Sequence, residues 1–427
     1  MPRVSATNAS AITSVRAWEA LDSRGRPTVA CTVHLADGSR GKIVVPSGAS
    51  TGTYEATELR DGGTRYGGYG VRTAITNVTD VLAPAVIGRD ASNQQDIDQR
   101  LRDLDGTSNL ARLGANAVLA VSLAVWRAVT SPGTFPGCTD TVRLPLPMFN
   151  IISGGAHARD AIDLQDLLVV PIGATTVAEA VEWGSRVRRS TEQVAVERGL
   201  TAGLVADEGG LGPALARNEE ALDLLVEGIR ASGLEPGSDV AIAIDVAATQ
   251  LADDDGYRLR CENRHLDPGE WLALLTDWLT SYPICSIEDP FGDDDWASWT
   301  ALTAAVGDRV QIVGDDLFVT DRARLERGVA ESVANTVLVK PNQVGTVTDA
   351  ATLVETAHAH GVRTVVSARS GDTEDEWLSD LAITWRAGQL KVGSLTRSER
   401  TAKWNRLLEL EADPTTHTAL RRWQPVE

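Results

Sequence analysis

Seven residues, most with reactive or charge-bearing side chains, stand at comparable points along the chain from residue 208 to residue 391. "VAIAID" ends on Asp245, "ICSIED" delivers Glu288, "VQIVGD" ends on Asp315, "NTVLVK" on Lys340 and "TVVSA" on Ala368, while "QLKVG" carries Lys391 and "TAGLVAD" runs directly into Glu208. A lone acid after an apolar run is most often a helix cap or a turn residue. Three acids in consecutive units are different, because Asp245, Glu288 and Asp315 gathered at one place repel one another unless a cation neutralises them. An all-oxygen donor set favours a hard ion, Mg2+ ahead of Ca2+ or Mn2+. Lys340 and Lys391 then face the same place, and a lysine whose proton affinity is lowered near a metal can serve as a base. Directly after Ala368 come Arg369 and Ser370, the types that clamp an anion through paired donors. Ala368 itself has no chemistry to offer.

To bring these residues together the chain needs strands that end at a common level. Eight β-rich runs meet that need: "LPMFNII", "TAGLVAD", "VAIAID", "ICSIED", "VQIVGD", "NTVLVK", "TVVSA" and "QLKVG". Helical stretches such as "NEEALDLLVEGIRAS" and "TDAATLVETAHAHG" separate several of them. The pattern predicts a β/α barrel, in which the C-terminal strand ends share the mouth that hosts chemistry. The character before residue 144 differs. "TVACTVHLADGSRGKIVV" reads as two strands around an Asp-Gly turn, and "ANAVLAVSLAVWRAV" as an Ala-rich helix. The Pro, Gly and Thr content of "TSPGTFPGCTDTVRLP" marks a connector. The expected division is an α+β domain over residues 1–143 and a barrel domain over 144–427.

Bulk properties narrow the partners. A 427-residue chain with a formal net charge of -19 repels nucleic-acid backbones and anionic lipid, so neither is expected as a partner, and any anionic substrate must meet a local positive site. The four cysteines, Cys31, Cys138, Cys261 and Cys285, lack CxxC spacing and argue against a zinc cluster or disulfide framework. Neither a secretory apolar segment nor a run of about 20 apolar residues is present, so a soluble cytoplasmic protein is expected.

The ordered segments "LDSRGRPTV", "VPSGASTGTYEATELRDG", "LGANAVLAVSLA", "LPLPMFNIISGGAHARD", "DEGG", "SIEDP", "GDDL", "VKPNQVGT" and "KVGSLTRSER" resemble the enolase family almost end to end. The resemblance implies an N-terminal α+β capping domain on a modified β/α (TIM-like) barrel. It also implies reversible dehydration of 2-phosphoglycerate to phosphoenolpyruvate with two Mg2+ per site, the second arriving with substrate, and a homodimer or homo-octamer. By position, Lys340 resembles the base, Glu208 the acid for the departing hydroxyl, and Lys391 the cation that steadies the developing carboxylate charge. Asp245, Glu288 and Asp315 resemble the ligands of the first Mg2+, and Ser50 a ligand of the second. Arg369 and Ser370 resemble the phosphate clamp, His157 a substrate-contacting lid residue, and Asp166 a substrate-binding position.

Two positions depart from the family pattern: Ala368 stands where His is usual, and Asp166 where Glu is usual. Both fall on the leaving-group side. Loss of a positioned acid-base group costs about 10²–10⁴-fold, and moving a carboxylate by about 1 Å costs around 10²-fold. One alternative is therefore a paralogue with a larger or phosphonate-type substrate, like the carboxyphosphonoenolpyruvate synthases, in which Ala368 clears space. Another is a non-catalytic use of the fold, which the intact carboxylates and lysines oppose.

Overall fold

The computed structural model describes residues 8–48, 52–130, 135 and 141–423. The first unit is a three-stranded antiparallel sheet of β1 (Ile12–Leu21), β2 (Pro27–Leu35) and β3 (Arg40–Val44). The Asp-Gly turn expected from sequence joins β2 to β3, with Gly38 at φ 90°. The strand before it, β1, was not among the expected elements. It alternates partly exposed and covered positions without a clean apolar period. The Ala-rich helix α1 (Ala115–Val129) covers the sheet. Its approach is so close that a Cβ on Gly41 would meet the Ala124 carbonyl oxygen at 2.0 Å. Small residues on both sides make that contact possible.

The second unit is a closed barrel built from β4 (Leu146–Ser153), β5 (Asp166–Val170), β6 (Ala241–Asp245), β7 (Ile284–Glu288), β8 (Gln311–Gly314), β9 (Thr336–Val339), β10 (Arg363–Ser367) and β11 (Gln389–Lys391). Neighbours follow chain order, and β11 closes onto β4. All pairings are parallel except those of β5, which runs against both β4 and β6. No α-helix intervenes between β4 and β5, so the chain returns as a hairpin instead of crossing over. The fold is thus a modified β/α barrel with an N-terminal α+β unit.

The strand list from sequence needs one correction. "TAGLVAD" is a loop with a single isolated bridge, Val205 to Leu211, because its large apolar residues face out, Leu204 at 68% and Val205 at 47% exposure. The missing barrel strand is β5, "DLLVV", buried along its whole length.

The two units are stitched by polar contacts. Ser122 of α1 accepts the backbone N–H of Val347 at 2.9 Å, and Asp98 accepts that of Thr348 at 2.9 Å, so the α+β unit caps the N-terminus of barrel helix α2 (Val347–Ala359). Ser47 and Gly371 exchange backbone hydrogen bonds at 2.7 and 2.9 Å. No helix among the described residues is long and apolar enough to cross a membrane.

Candidate active site

Asp245, Glu288 and Lys391 are the last residues of β6, β7 and β11, and Asp315 and Lys340 are the first beyond β8 and β9. They form one buried ionic cluster. Lys391 Nζ bridges Asp245 Oδ2 and Glu288 Oε1, each at 2.7 Å. Lys340 Nζ pairs with Asp315 Oδ2, whose other oxygen accepts from Gln343 Nε2 at 2.9 Å. The Lys340 backbone is fixed in turn, its N–H donating to Thr320 Oγ1 at 2.9 Å. Burial penalises charge on Lys340, but Asp315 overrides it and holds the amine above the ordinary lysine range. Lys391 lies well above that range for the same reason, with Asp245 and Glu288 as partners. The lowering expected from sequence is one beside a bound cation, and these ion pairs do not bear on it.

The cluster is nevertheless short of positive charge. Burial and the adjacent Asp245 push the Glu288 carboxyl well above its usual range even with Lys391 beside it. The next residue, Asp289, accepts the N–H groups of Asp315 and Asp316 at 2.9 and 2.8 Å. Burial and the Asp316 charge raise Asp289 strongly, and burial with Asp315 pushes Asp316 up to about 7. These are the electrostatics of a site that suits a hard cation. The donors are all oxygen, and an ammonium already stands between two of them.

Next to Asp245 around the mouth lies Asp166, at the start of β5. Because β5 is reversed, its first residue, not its last, reaches the level of the other strand ends, opposite Ser153 and Asp245. Asp166 Oδ1 accepts from Asn150 Nδ2 and from Ser153 Oγ at 2.8 Å, while Oδ2 meets His157 Nδ1 at 2.8 Å. Burial favours a neutral His157 ring, yet the charges of Asp166 and Glu208 outweigh it and push His157 up to about 9. Burial raises Asp166. Glu208, also buried, is held below its ordinary value by His157 and Arg400. His157, Asp166 and Glu208 place ligand-type atoms within 4.8 Å of one another.

Arg369 and Ser370 follow Ala368, which is buried at 5% exposure. The Arg369 guanidinium is engaged by Glu55 through two parallel contacts of 2.9 and 3.1 Å. Arg400, fully buried, donates to the carbonyls of Arg369 at 2.8 Å and Ser370 at 2.6 Å, and its guanidinium lies 3.9 Å from Glu208. One side chain thus ties the loop after β10 to the loop that carries Glu208. A Cβ at Gly371 would strike Asp22, Arg24 and the Ser47 carbonyl within 2.6 Å, which explains glycine where the α+β unit docks. Ser50 lies outside the described residues.

Sequence reasoning missed Glu55, Gln343, Asp289, Asp316 and Arg400. Glu55 and Gln343 are joined at 3.3 Å and sit inside "GTYEATE" and "VKPNQVGT". A buried-type polar residue flanking a motif was the available signal.

The family profile described as "Enolase, C-terminal TIM barrel domain" matches residues 141–421, and that described as "Enolase, N-terminal domain" matches residues 12–136. A protein named Enolase from Acidothermus cellulolyticus is 50% identical over 407 residues, covering 94% of this chain and 94% of the relative.

Proposed function

The chain belongs to the enolase family, whose members are hydro-lyases, and from that premise we propose that it carries out the Mg2+-dependent, reversible dehydration of 2-phosphoglycerate to phosphoenolpyruvate. The observation that carries the reading is the pairing of two strand-end lysines with three strand-end carboxylates at one barrel mouth. The relative's name, at 50% identity, favours this substrate over a phosphonate-type one.

Asp245, Glu288 and Asp315 would hold Mg2+, which when bound supplies the positive charge that releases the lysines from their ion pairs and steadies the substrate carboxylate. Lys340, freed from Asp315, takes the weakly acidic proton from the carbon beside that carboxylate. Lys391 faces the negative charge that grows there, and a fixed cation in a water-poor site is most effective where charge develops. Arg369 and Ser370 hold the phosphate, once Glu55 gives way. The departing hydroxyl needs a proton; His157 keeps one up to about pH 9, and Glu208, which resembles the family's acid, lies in the same group. In this reading the substrate is a small phosphorylated anion, the setting cytoplasmic and the assembly a homodimer or homo-octamer.

Proton exchange tests the base directly. With 2-phosphoglycerate and Mg2+ in deuterated water, the parent should exchange the proton at the carbon beside the carboxylate, and Lys340→Ala should lose about 10²–10⁴-fold. Exchange at the parental rate in Lys340→Ala would remove Lys340 from that role.

A further inference from the structure

Arg400 lies in the first turn of α3 (Ser398–Ala412) with its side chain fully buried. Its guanidinium meets acceptors from three separate loops. They are the carbonyls of Arg369 at 2.8 Å and Ser370 at 2.6 Å after β10, that of Val392 at 3.4 Å after β11, and the Glu208 carboxylate at 3.9 Å. A buried cation is tolerated only where hydrogen bonds and an opposite charge surround it. Of the two acids beside it, Glu399 at 3.6 Å is shared with Arg397, which holds it at 2.7 Å, so Glu208 is the main counter-charge. Gly393 leaves the notch through which Arg400 and Glu208 approach: a Cβ there would meet Arg400 Cδ and the Glu208 carbonyl oxygen, each at 2.8 Å. That carbonyl accepts the Ser394 N–H at 2.8 Å, and Trp404 of α3 donates to the Ser394 carbonyl at 3.0 Å. The loop that carries Glu208 and the loop after β10, far apart in the chain, thus share one buried support.

We propose that Arg400 is a positioning residue that sets the separation between Glu208 and the phosphate-holding pair, Arg369 and Ser370, so that the phosphate and the departing hydroxyl of one substrate molecule are engaged together. The inference rests on the reaction proposed above and deepens it. In 2-phosphoglycerate these two groups sit on adjacent carbons, so a substrate gripped at one presents the other at a fixed distance. A misplacement of about 1 Å between such groups costs around 10²-fold. The planar fork suits the task, because a guanidinium spreads five donors over a plane and spans several acceptors, whereas an ammonium offers three from one point. Lys340 and Lys391 stand outside this linkage, with Asp315, Asp245 and Glu288 as their partners. Proton removal beside the carboxylate is therefore separable from loss of the hydroxyl.

Arg400→Lys keeps the charge and gives up the fork. With 2-phosphoglycerate and Mg2+ in deuterated water, the variant should lose about tenfold or more in kcat for dehydration and gain about threefold or more in KM, while proton exchange at saturating substrate stays within about twofold of the parent. Equal losses in exchange and dehydration, or no change in either, would overturn the assignment. Amide hydrogen exchange followed by mass spectrometry checks the linkage without any substrate. Gly371 donates its N–H to the Ser47 carbonyl and Asp207 its own to that of His157, so segments 369–373 and 206–210 each carry a protected amide. In Arg400→Lys both segments should lose protection by about threefold or more, and loss in one alone would overturn the coupling. Glu208→Gln leaves Arg400 in place and asks the same question from the other end, should the lysine variant not fold. Protection of 369–373 should then fall, and an unchanged value would count against the linkage. A parent that neither exchanges nor dehydrates 2-phosphoglycerate would refute the reaction, and the amide result would still decide whether Arg400 joins the two loops.

Discussion

Ala368 is buried at the end of β10 and faces a mouth in which every other strand-end side chain is charged or paired. Across the mouth Asp166 has both carboxylate oxygens engaged, one by Asn150 and Ser153, the other by His157. If these two residues weaken an otherwise ordinary dehydration, Ala368→His with Asp166→Glu should raise kcat/KM for 2-phosphoglycerate at least about tenfold, about 1.4 kcal/mol of barrier. No gain, in a protein already as fast as other family members, would make Ala368 neutral. No gain together with loss of a different native activity would make it an adaptation to a bulkier substrate. At this scale the sequence was informative about type and poor about partner. Lys340 and Lys391 were recognisable from the runs that precede them, but their ion pairs were not, because which carboxylate each ammonium meets depends on barrel neighbours far apart in the chain. Glu55 was invisible for the same reason: it acts on Arg369, 314 positions away.

Among the elements, the segment Gly52–Glu55 has the clearest consequence. Glu55 accepts from the Gly52 N–H at 3.0 Å, from Gln343 at 3.3 Å, and grips Arg369 with both oxygens. A carboxylate on that guanidinium competes with any phosphate for the same paired donors. Charge-assisted hydrogen bonds contribute about 1.5–3 kcal/mol, so Glu55→Gln should tighten phosphoenolpyruvate binding by about tenfold or more, read by calorimetry with Mg2+ present. An unchanged or weaker Kd would mean that Glu55 does not compete. The elements themselves were mostly legible. Seven barrel strands appear where apolar runs predicted them, since strands buried on both faces write continuous apolar segments. "TAGLVAD" misled because composition cannot say which side a side chain faces. β5 was missed although "LLVV" is itself such a run; only its reversed direction, fixed by the hairpin connection to β4, has no composition of its own.

For the molecule as a whole, the raised acid-base groups set a slope of stability against pH. His157, pushed up to about 9 when folded, contributes stability that is complete below its ordinary 6.5 and is lost as pH rises through 9. Asp316, pushed up to about 7 from 3.8, acts in the same sense over its own lower window. The Tm of protein kept in chelator should therefore fall between pH 6.5 and 9, with on the order of 3 kcal/mol from His157. His157→Gln should flatten that fall, and a Tm that stays level or rises in the parent would contradict it. Added Mg2+ should raise Tm more at pH 8.5 than at pH 6, because ligand carboxylates must be ionised to bind it. Closure of the barrel by β11 onto β4 has a last consequence, for synthesis. Asp245, Glu288 and Asp315 leave the ribosome before Lys391 does, and a chain halted before Gln389 has no β11 for β4 and β10 to pair with. Such a nascent chain carries an acidic mouth without one of its two lysines and two unpaired strand edges, so the acquisition of native charge balance and the loss of those edges to chaperone capture fall in the same final stretch of translation.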